Sequence, residues 1–154
     1  MKRSRTPIES SASSSSVEAF LYDPTTLTAQ EWQPLRLLLW AAIDRSNGEA
    51  DPDATLIDVV RGRAQLWGVR KHEEIQGVVV TKVLRFPSGK KTLLIELAAG
   101  NDLTFDEMRG IMGRLEHYGR VMECEAVRIY GRQGWAKVLE GYGQPFTVLE
   151  KELG

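Results

Sequence analysis

Lys91-Thr-Leu-Leu-Ile-Glu-Leu-Ala-Ala-Gly100, followed by Asn101-Asp-Leu-Thr-Phe-Asp-Glu-Met-Arg-Gly-Ile-Met-Gly-Arg-Leu-Glu-His-Tyr118, sets the architecture of this chain. The first part is rich in Leu and Ile and follows the turn residues Pro87-Ser88-Gly89, which predicts a strand from Lys91 to Ala98. In the second part Thr104 and Glu107 have the spacing of a capping box, where hydroxyl and carboxylate satisfy N–H groups that a helix start leaves unpaired. Behind them Phe105, Met108, Ile111, Met112, Leu115 and Tyr118 recur at three or four residues, the apolar stripe of a long helix.

Upstream, Gln65–Arg70 and Gly77–Phe86 read as two more strands, separated by the polar His72-Glu73-Glu74, so three consecutive antiparallel strands precede the long helix. Before them, Thr28 and Glu31 form another capping-box pattern. Trp32, Leu35, Leu39 and Ile43 then predict a helix to about Arg45, stopping before Asn47-Gly48. A shorter helix is expected from Asp53 or Ala54 to Arg61, with Leu56, Val59 and Val60 inward and Gly62 ending it. Downstream, Val127–Tyr130 reads as a short strand, Gly134–Tyr142 as a short helix anchored by Trp135, Val138, Leu139 and Tyr142, and Phe146–Leu153 as a closing strand. This succession implies an α/β fold of mixed type: one central, mainly antiparallel sheet flanked by helices.

The 154 residues suit one domain, placed over 18–154, with folded structure beginning near Val17–Tyr22. Residues 1–17 read as a flexible arm: Lys2, Arg3 and Arg5 precede a run from Ser10 to Ser16 broken only by Ala12, with little apolar surface to offset the entropy of ordering. The alternative is a docking arm that orders on a partner or touches phosphates. Twenty basic against twenty-one acidic side chains give a net charge of −1, so nucleic-acid contact is not expected beyond that arm. No apolar run approaches the length of a membrane helix, and neither membrane association nor a secretory leader is expected. The single cysteine, Cys124, suits a reducing, intracellular setting.

The order of elements resembles the GNAT superfamily of acetyl-CoA-dependent N-acetyltransferases over Leu27–Leu153. More narrowly, Leu66-Trp-Gly-Val69, Val79-Val-Thr-Lys-Val83, Leu94-Ile-Glu-Leu-Ala-Ala-Gly100 and Ile129-Tyr-Gly-Arg-Gln-Gly-Trp135 look like small GNAT-like proteins of tailed bacteriophages. The resemblance implies that the stretch opening the long helix holds the cofactor diphosphate on backbone N–H groups, in a Gln/Arg-x-x-Gly-x-Gly/Ala loop. Here that stretch reads Gly100-Asn-Asp-Leu-Thr-Phe-Asp106, with one glycine and two carboxylates, so no cofactor is expected to bind in the ordinary way. If acetyl-CoA does bind, Gly100, Asn101 and Thr104 are the residues to hold it.

The family's usual proton-donating Tyr falls on Leu139, leaving Tyr130 and Tyr142 as substitutes. Glu96 occupies the region of the family's general base; it could equally alternate outward between Ile95 and Leu97 or pair with a neighbouring Arg. Arg128, Arg132 and Lys137, with Trp135 beside them, form a basic group suited to a partner or phosphate, or else a solvated rim. His72, His117 and Cys124 make no metal pattern, and Glu123 and Glu125 are expected to raise the Cys124 pKa. The leading functional expectation is a non-catalytic GNAT-like structural or interaction protein of a phage virion. It would sit in the host cytoplasm or the particle and contact other virion proteins. The alternative is an acetyl-CoA-dependent N-acetyltransferase acting on an amine or protein.

Overall fold

The computed structural model describes residues 16–43, 49–130 and 139–154. Val17–Leu21, which the sequence marks only as the first apolar cluster, is a strand, β1. Helix α1 spans Ala29–Ile43 and α2 spans Pro52–Val60. Strands β2 (Gln65–Lys71), β3 (Glu74–Arg85) and β4 (Lys91–Gly100) follow, then helix α3 (Phe105–Val121) and strand β5 (Ala126–Ile129). The sheet order is β1-β2-β3-β4-β5, antiparallel except for the parallel pair β4/β5.

Both predicted capping boxes form. The Glu31 carboxylate accepts from the Thr28 N–H at 3.0 Å while the Thr28 hydroxyl accepts from the Glu31 N–H at 3.1 Å. The same reciprocal pair closes at Thr104 and Glu107. Helix α2 starts one residue earlier than expected because Pro52 suits the first helical position and the Asp51 side chain caps the Ala54 N–H. Strand β3 begins at Glu74 rather than Gly77, since His72 and Glu73, both at positive φ, complete the hairpin turn alone.

Alternation divides the sheet into two packed faces. Leu66, Val78, Val80 and Leu97 meet Leu35, Leu39 and Val59 from α1 and α2. On the other face Trp67, Val69, Val79 and Ile95 meet Ile111, Met112 and Leu115 of α3. Val60, expected to face inward, is exposed, because the inward stripe of so short a helix is carried by Thr55 and Val59. Gly68 makes room for the rings of Phe20 and Tyr22, which come within 2.8 Å of where its Cβ would stand.

The C-terminal expectations fare differently. Gly134–Val138 of the expected short helix lie outside the described residues, and Leu139–Tyr142 form a turn. Phe146–Leu153 is not a strand: Val148 and Leu149 are adjacent, so neither face of an extended segment is consistently apolar, and Leu149 and Leu153 stand exposed. No described helix is long and apolar enough to cross a membrane.

Two buried threonines predict opposite outcomes of one substitution. The Thr81 hydroxyl accepts from the Trp67 indole at 3.0 Å and donates to Gln65 at 2.8 Å, both inside the fold. Thr92 buries its hydroxyl with no partner among the described residues. Thr81→Val should cost about 1–3 kcal/mol by orphaning the indole N–H, whereas Thr92→Val should be neutral or stabilise by up to about 1 kcal/mol. Urea denaturation of the two variants measures both.

Candidate active site

Strand β4 is held differently along its length. Its first half pairs with β5, Thr92 with Ala126 through Ile95 with Ile129. On its other side the register with β3 jumps from Thr81↔Ile95 to Val80↔Leu97, so Glu96 is the extra residue of a β-bulge. Past that residue no described strand pairs with β4 on the β5 side, so the end of the β4/β5 pairing at Ile95 and Ile129 marks a fork. Bulges of this kind re-aim a side chain or end a pairing, and this one does both.

The bulge puts Glu96 on the same face as Leu97, towards α1 and α2. There it meets Lys82 of β3 at 3.0 Å, and Lys82 also reaches Asp58 of α2 at 3.2 Å. Arg63 holds the other oxygen of Asp58 at 3.3 Å. Burial pulls the Lys82 pKa down, but the hydrogen bonds and charges of Glu96 and Asp58 outweigh it and the net shift is upward. The ammonium therefore persists at neutral pH and bridges the Glu96 and Asp58 carboxylates. Lys82 and Asp58 were not among the residues singled out by sequence. The only available signal was the spacing of Val80 and Lys82, which share a face of β3.

Val127 and Ile129 pack on the α3 side, so β5 turns Arg128 to the opposite face. Tyr130 follows on the face of Arg128, one step past the Ile95↔Ile129 pair, and is exposed. Glu96 and Tyr130 are thus the residues that follow the last β4/β5 pair, Ile95↔Ile129. Tyr142 is elsewhere: it donates to Glu116 of α3 at 2.7 Å, on the opposite face of the sheet. Burial, then that hydrogen bond and the Glu116 charge, push its pKa well up, so it stays protonated and engaged. On the α3 side, next to β4, lies a cavity of about 270 Å³ lined by Val79, Ile95, Ala98, Met108 and Met112 among others.

The start of α3 is closed by the chain itself. The Asn101 N–H donates to Gln76 of β3 at 2.8 Å, and the Thr104 N–H donates to Glu107 at 2.8 Å. Gly100 makes room for Leu103, whose Cδ1 lies 2.7 Å from a Cβ built there. Lys71, only 11% exposed, donates to the Asp102 carbonyl at 2.7 Å and pairs with Glu107 at 3.1 Å. Asp106 pairs with Arg109. Of the three residues expected to hold a cofactor, Asn101 and Thr104 spend their N–H groups internally, and Leu103 covers Gly100. Asp102, Asp106 and Glu107 stand against Lys71 and Arg109, an excess of negative charge. These residues do not fit a diphosphate.

Of the basic group, Arg132, Lys137 and Trp135 lie outside the described residues, as do Lys2, Arg3 and Arg5. Arg128 is described: its guanidinium lies 5.6 Å from the Phe86 ring centroid and 5.0 Å from that of Phe146, a cation–π sandwich rather than a solvated rim. Burial is what raises the Cys124 pKa, with Lys91 and Arg85 opposing it; the flanking carboxylates are not the cause. Among the described residues no group of three or more His, Cys, Asp or Glu is placed to hold a metal.

No family model matches the sequence, and no curated protein matches it. Solved structures do match in shape. A ribosomal-protein-alanine N-acetyltransferase from Brucella melitensis biovar Abortus superposes with a TM-score of 0.66 at 11% identity, covering 90% of this chain and 100% of its own. A GNAT family acetyltransferase from Staphylococcus aureus gives 0.61 at 13% identity, covering 90% and 99%. A protein described as a predicted acetyltransferase with acetyl-CoA, from Clostridium acetobutylicum, gives 0.65 at 12% identity, covering 90% and 96%. The chain has the GNAT fold.

The α3 cap predicts a pH dependence. The Thr104 N–H, with Lys71 adding to it against the effect of burial, holds Glu107 below its ordinary pKa of 4.5. A depressed carboxylate contributes stability that is present above the unfolded-state pKa and lost as pH falls through the folded one. The urea midpoint should therefore fall as pH drops below about 5. Glu107→Gln, which can still cap, should be less stable at pH 7 and show a flatter acid limb that converges with the parent once the pH has fallen through the depressed Glu107 pKa.

Proposed function

We propose that this chain is an amine acyltransferase of the N-acetyltransferase type, with its chemistry at the fork between β4 and β5. The observation that carries the proposal is the bulge at Glu96. It sets a carboxylate at the point where the β4/β5 pairing ends, and Tyr130, the residue that follows β5, is the phenol nearest to it in register. The fold alone does not establish the activity, since scaffolds keep or lose chemistry independently; the fork supplies the chemical groups. An amine entering from the α1/α2 face meets Glu96, which Lys82 holds at 3.0 Å. As the amine nitrogen bonds to the acyl carbon of a thioester, the carbon–sulfur bond breaks. The amine proton passes to Glu96, and the departing sulfur takes one from the Tyr130 hydroxyl. The acceptor is a small amine, a protein N-terminus or a lysine.

A non-catalytic interaction role is favoured by one observation, the self-closed start of α3. The virion setting, with other virion proteins as partners, belongs to that role and is supported by the sequence resemblance alone. Its contact groups would be the arm residues Lys2, Arg3 and Arg5, together with Arg128, Arg132 and Trp135.

The two are separated by assaying acyl transfer from acetyl thioesters to peptide amines. The enzyme reading expects turnover that Glu96→Gln lowers by about 10²–10⁴-fold, the usual worth of a positioned base, with the urea midpoint nearly unchanged. Turnover unaffected by the substitution removes Glu96 from the mechanism. Absence of transfer in the folded protein leaves the interaction role.

A further inference from the structure

We infer that the acceptor at this fork is an acidic peptide segment: Arg128 of β5 takes a carboxylate of the same molecule whose amine reaches Glu96. The inference rests on the acyl-transfer reading above and narrows its acceptor class.

Three observations on one face of the sheet carry it. The first is position. Lys82, Leu94 and Arg128 stand opposite one another on β3, β4 and β5, so their side chains share the face towards α1 and α2, where Glu96 also lies. Two residues along β4 and one strand across separate Glu96 from Arg128, roughly 8 Å between backbones.

The second is commitment. Lys82, in the same row, is spent on Glu96 and Asp58, and Arg63 is spent on Asp58. Arg128 makes no ion pair with any described residue, although it is half-buried. Its charge is therefore available to an incoming carboxylate, and partial burial strengthens such a pair relative to one in open solvent.

The third is the way the guanidinium is held. The rings of Phe86 and Phe146 engage it with centroids 5.6 and 5.0 Å away. Ring contact is made through the face of the group, while its N–H donors lie in the plane and suit a bidentate carboxylate. Phe86 follows Arg85, the partner of Lys91, so it lies at the end of β3 remote from Glu96 and draws the guanidinium that way. The separation of charges is thus longer than a free α-amino acid spans. It matches two to four residues of extended chain at about 3.3 Å each.

Steady-state acyl transfer by the full chain to peptides with a single, N-terminal amine tests this. One peptide carries Glu at the third or fourth position and its control carries Gln there. The expected KM is about tenfold lower for the Glu peptide, the usual worth of a hydrogen-bonded charge pair, with kcat alike. Arg128→Gln should bring the two KM values together. Equal KM values in the parent chain, or a preference that survives Arg128→Gln in a folded variant, overturn the inference and leave the acyl-transfer reading standing. The peptide comparison needs no variant, so it decides even if Arg128→Gln does not fold. Absence of transfer to every peptide overturns the acyl-transfer reading, and the inference falls with it.

Discussion

The bulge at Glu96 is the constraint on which the rest of this structure turns. One inserted residue shifts the β3/β4 register, so Ile95 packs against α3 while Glu96 and Leu97 both face α1 and α2. A regular strand would have placed Glu96 and Leu97 on opposite faces. The carboxylate instead lands within reach of Lys82 and, through it, of Asp58, tying β3, β4 and α2 together at a partly exposed surface. On the other edge of β4, pairing with β5 ends at Ile95, so the parting of the strands and the displaced carboxylate coincide.

The two ends of the stretch of β4 beyond its pairing with β5 differ in chemistry. At the fork stand the Glu96 carboxylate, paired with Lys82, and the exposed Tyr130. At the far end, the Thr104–Glu107 box and buried Lys71 consume the polar groups that the fold could have offered to an anion. Cap and ion pair reinforce each other, because Glu107 is shared between them: the same carboxylate that satisfies the helix start neutralises the lysine. Closure of this corner ties α3 to the sheet and sets two carboxylates, Asp106 and Glu107, in the first turn of the helix.

Much of the scaffold was legible in the sequence because local rules and tertiary packing agree. Both capping boxes, the α1 stripe and the three-strand meander form as expected, and the α3 stripe does so from Met108 onward, its first member Phe105 standing exposed. The failures fall where pattern is weak. Val17–Leu21 gains its strand from pairing with β2, which no local signal reports, and Phe146–Leu153 lacks the alternation that would commit it to a sheet. The site was legible only in part. Glu96 could be singled out by resemblance, but the bulge that decides its face is a property of register, and neither Lys82 nor Asp58 is near it in sequence. Tyr130 and Tyr142 looked equivalent as candidates; Tyr130 follows the last β4/β5 pair and is exposed, whereas Tyr142 donates to Glu116 on the α3 side.

The central claim is that ligand contact belongs to the fork where β4 and β5 part and not to the start of α3. Amide chemical-shift mapping of the labelled protein during addition of acetyl-CoA tests it most directly. The account predicts perturbations centred on Leu97–Gly100 and Tyr130, with the amides of Thr104–Met108 unmoved. Perturbations centred on Thr104–Met108, or none anywhere up to millimolar ligand, would contradict it.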